Sequence, residues 1–144
     1  MFYPKGSIFE LCEQTKLLKP IVLHSLAYPT GLALSPDGLH LFVCETGLNR
    51  LLKLSKVGEA WIPSLFRQFT GKFGPVDVQF HESSLFVLHS DLKDGIDNAE
   101  VVKLSLSGEE IDRIGLPFSE ATGFFCDDDG IFITNRQTVI KLEL

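Results

Sequence analysis

Apolar and polar residues alternate along most of this chain, in short runs set apart by turn residues. Gly31-Leu32-Ala33-Leu34, Val76-Asp77-Val78-Gln79-Phe80 and Thr122-Gly123-Phe124-Phe125-Cys126 are versions of one pattern, each opened by a small or acidic residue. Each is followed by a polar turn and a second apolar run: Leu41-Phe42-Val43, Leu85-Phe86-Val87 and Ile131-Phe132-Ile133. Alternation over about four to eight residues predicts strands. Ser35-Pro36-Asp37-Gly38 predicts a hairpin turn, because Pro36 presets φ and Gly38 supplies the positive φ that closes it. No long window keeps a 3.6-residue period, so helix is not expected.

The runs recur at a fixed interval. Gly31, Asp77 and Gly123 stand 46 residues apart both times. Strands are predicted over 6–11 and 17–26, then over 31–34, 39–44, 50–54 and 60–69. A second group follows at 76–80, 85–88, 100–106 and 111–116, and a third at 122–126, 131–134 and 139–142. A period near 45 residues with several short strands in each unit is the signature of β-propeller blades. The expected fold is all-β: a partial propeller of about three blades, each a four-stranded antiparallel sheet. Residues 1–144 form one domain, with 1–27 as outer strands of a first blade, 28–73 and 74–119 as the second and third, and 120–144 as an incomplete last blade.

An unclosed propeller leaves blade faces and strand edges open, and both invite association. The chain is therefore expected to be part of a ring: a fragment of a longer product, or a protomer completed by another chain. Two copies would make six blades.

Composition narrows the partners. The chain is 44% hydrophobic and 22% charged, with twelve Phe and a net charge of −6. Scattered lysines and a negative balance exclude a nucleic-acid binder, which needs clustered Lys and Arg against phosphates. The apolar runs fall far short of the roughly 20 residues that span a bilayer, and the N-terminus lacks the plan of a secretion signal. Cys12, Cys44 and Cys126 are odd in number and widely spaced, which suits free thiols in a reducing, cytoplasmic setting.

Tyr28-Pro29-Thr30-Gly31-Leu32-Ala33-Leu34-Ser35-Pro36-Asp37-Gly38, followed by Glu45-Thr46-Gly47 and Arg50, resembles the gluconolactonase/regucalcin-like and strictosidine synthase-like superfamily. There the text runs F-P-N-G-x-A-x-S-P-D-G, then a strand, then E-T or D-T, Gly and a basic residue. Gly6-Ser7-Ile8-Phe9-Glu10-Leu11 and the segment from Glu120 to Leu144 are similar to flanking parts of the same pattern. The resemblance implies a six-bladed propeller of which this chain covers the C-terminal half. It implies a divalent cation in lactonase-type members, held by an Asn where this chain has Thr30, by an Asp where it has Val76, and by a Glu of the first blade. Asp77 lies one residue beyond the second position, and a one-residue step along a strand turns a side chain to the other face. No metal site is expected from that set. In strictosidine synthase-like members a Glu near the last blade is catalytic, and Glu120 lies in the corresponding neighbourhood.

Loops that enter the innermost strand and leave the second strand open on one face of a propeller. That face gathers Thr30, Glu45, Asn49, Arg50, Asp77, His89, Asp91, Asn135 and Arg136, with Glu120 as the candidate catalytic residue. Glu45, His89 and Asn135 end the three second strands. Two functional readings stand. One is a non-catalytic module that binds a small molecule or a protein through this face. The other is a hydrolase of lactone-like esters, or a strictosidine synthase-like enzyme, once the ring is complete. Asp127-Asp128-Asp129-Gly130 reads as a hairpin turn, and Asp91 to Asn98 as an inserted loop. His24, His40 and His81 each lack a second ligand at useful spacing in the sequence.

Overall fold

A computed structural model describes residues 5–71, 74–90 and 97–143. Its strands fall into four antiparallel sheets in chain order. β1 (Gly6–Leu11) pairs with β2 (Leu18–Leu26). The second sheet runs β3 (Pro29–Leu34), β4 (His40–Glu45), β5 (Arg50–Val57) and β6 (Ala60–Gln68). The third runs β7 (Gly74–His81), β8 (Ser84–Ser90), β9 (Glu100–Leu104) and β10 (Glu110–Gly115). The last holds β11 (Gly123–Asp127), β12 (Gly130–Thr134) and β13 (Val139–Leu142). Each strand pairs with its sequence neighbour, so every sheet is a meander. Among the described residues the one helical turn is a 3-10 turn at Thr46–Leu48, and no helix is long and apolar enough to cross a membrane.

The apolar core lies between the sheets. β4 shows why. Its Leu41 and Val43 face back onto Ile8 and Leu26 of the β1–β2 pair. Its Phe42 and Cys44 face forward onto Val78, Leu85 and Val87 of the third sheet. β8 repeats the arrangement, with Phe86 and Leu88 turned onto Ile131 and Ile133 of the last sheet. A strand buried on both faces reads as a continuous apolar run, as Leu41 to Cys44 and Leu85 to Leu88 do. The aromatic rings fill these boundaries edge to face, Phe42 lying 4.9 Å from Phe66 and 5.2 Å from Phe80.

β3, β7 and β11 lie side by side at the inner margin. A Cβ placed on Gly31 would come within 2.7 Å of the Asp77 Cα, so only glycine lets β3 and β7 approach this closely. The Asp77 carboxylate accepts a hydrogen bond from the Phe124 amide at 3.2 Å. Gln79 both donates to the Phe124 carbonyl and accepts from the Cys126 amide, at 2.8 and 2.9 Å. Side chains of β7 thus satisfy backbone groups of β11 that no strand pairs. These are stacked, consecutive blades around a shared inner margin.

Candidate functional site

The starts of β3, β7 and β11 and the ends of β4, β8 and β12 share one face, because each pair is antiparallel. Glu45 stands at the end of β4 and is fully buried. Its Oε1 accepts from the Ala27 amide at 2.9 Å, and its Oε2 pairs with Arg50 Nε at 2.7 Å. It therefore ties the start of the second blade to the hairpin before it. His89 holds the same place on β8 and is also buried. Its Nε2 lies 3.0 Å from Asn49 Oδ1, its Nδ1 lies 3.2 Å from Glu100 Oε1, and its ring rests on Phe69 at 4.5 Å. Two facing oxygens favour a charged imidazole, but burial opposes it more strongly and pushes the His89 pKa down. Glu100 continues to Arg113, which also grips Glu110. Asn49 adopts a left-handed backbone and uses its amide nitrogen on the Gly71 carbonyl at 3.3 Å.

Glu45, Asn49, Arg50 and His89 thus brace the face from beneath. Asn135 builds the β12–β13 turn, its Oδ1 accepting from the Gln137 and Thr138 amides at 2.9 and 2.8 Å. Glu120 sits in a left-handed conformation with φ of 56°, its carboxylate 3.4 Å from Arg136. Asp91 lies outside the described residues.

Beside Glu120 and Arg136, the described residues of this face include a set of hydroxyls and the Asp77 carboxylate. Thr30 and Thr46 are hydrogen-bonded at 2.8 Å, and Thr46 donates to the Pro75 carbonyl at 2.7 Å. Thr122 and Thr134 pair at 3.2 Å on the last sheet. Between them lies Asp77, half-buried. Thr134 Oγ1 and Asp77 Oδ2 lie 3.6 and 3.8 Å from where a Cβ on Gly123 would sit. Burial raises the Asp77 carboxyl pKa, and the Phe124 and Val78 amides oppose that rise. Thr46, Thr122 and Thr134 are not singled out by the sequence pattern, since a threonine near a strand end is ordinary.

The divalent-cation set implied by the resemblance does not fit. Val76 is buried in the core between the last two sheets, and Thr30 is engaged with Thr46. A hard cation needs several converging oxygens, and this pair supplies no carboxylate. At the opposite end of the blades, His81, Glu82 and Asp128 bring ligand atoms within 4.8 Å of one another. His81 and Asp128 are 3.6 Å apart across a blade boundary. Their chain separation hides the juxtaposition from any spacing argument.

No protein-family description matches the chain, and no curated protein sequence does. Solved structures do. Regucalcin from Agrobacterium tumefaciens, described as calcium-binding, aligns over 94% of this chain and 46% of its own, at 19% identity and a TM-score of 0.74. A gluconolactonase from Xanthomonas campestris aligns over 90% and 41%, at 21% identity and 0.72. Luciferin-regenerating enzyme aligns over 91% and 44%, at 18% identity and 0.74. All three are six-bladed propellers. The chain therefore has the fold of part of a six-bladed β-propeller, similar to the corresponding part of regucalcin and of the gluconolactonase. It spans somewhat less than half the length of these proteins.

Proposed function

We propose that this part-propeller binds a small, neutral, oxygen-rich molecule on its loop face, in the manner of a sugar lactone. The supporting observation is that Thr30, Thr46, Asp77, Thr122 and Thr134 lie toward the loop ends of the first two strands of their sheets. Hydroxyls that are already paired with each other still carry free lone pairs, and Asp77 adds an acceptor for a ligand hydroxyl. A concave mouth with a few convergent polar groups is where small molecules bind. The free thiols suit a reducing compartment, and we place the protein in the cytoplasm on that ground.

Titration calorimetry with D-glucono-1,5-lactone tests the reading. Binding that weakens at least tenfold in Thr30→Val supports it; binding indifferent to both Thr30→Val and Thr134→Val contradicts it. A second reading, ester hydrolysis or condensation at Glu120, is favoured by the left-handed backbone of that residue, since such conformations concentrate at active sites. Its check is lactone hydrolysis followed by pH-stat, lost in Glu120→Gln.

A further inference from the structure

On the inner strands β3, β7 and β11, positions 46 residues apart occupy the same place in successive blades, so their exposures can be compared directly. Val78 on β7 is fully buried and its counterpart Phe124 on β11 is 6% exposed, each covered by the blade before it. Leu32, the same position on β3, is 51% exposed, and Leu34 beside it is 55% exposed. Among the described residues, the β1–β2 pair is what stands ahead of the second sheet. β2 leads into β3 as β6 leads into β7, so β1 and β2 hold the two outer places of their blade. The two inner places are open, and in front of β3 lies a groove of about 350 Å³ lined by Ile8, Phe9, Leu32, Leu34 and Leu41.

The other end of the stack is its counterpart. Phe125 is 56% exposed on the outward face of the last sheet. The pairing register sets Phe132 opposite Phe125 on that face. By pairing register Phe132 corresponds to Phe42, since they lie opposite the equivalent inner-strand residues Phe125 and Ala33; Phe42 packs edge to face on Phe80 at the second–third boundary. Phe80 in turn corresponds to Leu34. The molecule therefore carries at its two ends the two halves of an interface that it already makes internally.

We propose that two copies of this chain associate head to tail, the last sheet of each packing on β3 and the groove of the other. β11 and β12 of one copy take the open inner places, and β1 and β2 of its partner complete that blade. Two complete blades from each copy and two shared ones make six. A head-to-tail contact closes only when its rotation divides the circle; three blade steps of a six-bladed ring are half a turn, so closure comes at two copies. A blade of four strands has no place for both β13 and the partner's β1. The four-residue β13 gives way, since Val139 is largely exposed while Ile8 of β1 is anchored in the core. The proposal rests on the fold and is independent of which molecule the loop face binds. Its consequence for that face is a mouth lined by both copies.

Sedimentation equilibrium of the full chain, with Leu32→Asp and Phe132→Asp, tests it. Both positions are at least partly exposed, and circular dichroism checks that each variant folds. The unsubstituted protein is expected at about twice its 16.0 kDa chain mass, and each variant at the single mass, with a dissociation constant raised more than tenfold. An equimolar mixture of the variants regains dimers, because one of its two junctions is then unsubstituted on both sides. Removing residues 139–144 tightens association. A monomeric unsubstituted chain, an open ladder of higher oligomers, variants that stay dimeric, or a mixture without recovery each overturns the proposal.

Discussion

His89 Nε2 and Asn49 Oδ1 meet at 3.0 Å across the boundary between two blades, with Glu100 on the other side of the imidazole. The contact joins the end of β8 to the turn after β4 and so ties two neighbouring blades together beside the candidate binding face. His89→Ala removes the ring from its contact with Phe69 and leaves Asn49 Oδ1 without its histidine partner, while Glu100 keeps Arg113. Cavity and unsatisfied-group costs together give a loss of about 3 kcal/mol. Urea unfolding followed by tryptophan fluorescence measures it.

The same histidine gives the fold a pH dependence. Burial holds its pKa below the ordinary 6.5, so below that value the unfolded chain binds a proton that the native chain refuses. Stability therefore falls as pH drops below about 6.5, by up to about 1.4 kcal/mol per unit, until the native ring also protonates. Asp77 has the opposite sign. Its raised pKa means that the native state holds a proton more tightly than the unfolded one, so this contribution is present in acid and lost as pH rises past its folded value. Urea midpoints between pH 7.5 and 5.5 are expected to decline in the unsubstituted protein and to flatten in His89→Gln.

Glu45 is a strut, and its removal is a stability defect. Glu45→Ala leaves the Arg50 guanidinium and the Ala27 amide without their shared acceptor. Breaking one side of a buried pair costs about 3 kcal/mol, while Glu45→Gln, which can still accept from Ala27, costs less. Thermal unfolding of the two variants distinguishes them by the order of their midpoints.

The thiols divide by position. Cys12 is exposed, and its hydrogen bonds with Thr15 lower its pKa. Burial raises that of Cys44 well above normal and that of Cys126 to about 12. Reaction needs an accessible thiolate. A chromogenic disulfide reagent at pH 8 is expected to modify one thiol of the native protein and all three after unfolding.

The blades are legible in the sequence because each depends on local alternation, a turn residue and the 46-residue interval between Gly31, Asp77 and Gly123. The all-β propeller fold follows from those features and agrees with the structure, whose fold is similar to those of regucalcin and gluconolactonase. The site was less legible. The repeat puts Glu45 and His89 at equivalent strand ends, but their burial comes from Ala27 and Asn49, partners supplied by neighbouring sheets. Asp77 follows a break in the β7–β8 register between Pro75 and Asp77, which simple alternation does not anticipate. The pairing of Thr122 with Thr134 and the approach of His81 to Asp128 are likewise products of packing.

The central claim is that these sheets are consecutive blades whose two exposed ends are halves of one interface. It is tested most directly by cross-linking Leu34→Cys and Phe132→Cys chains, each in a Cys12→Ser background, with a short bis-maleimide. The account predicts covalent dimers when the two variants are mixed and little linkage within either alone. Linkage within a single variant, or none in the mixture, would contradict it.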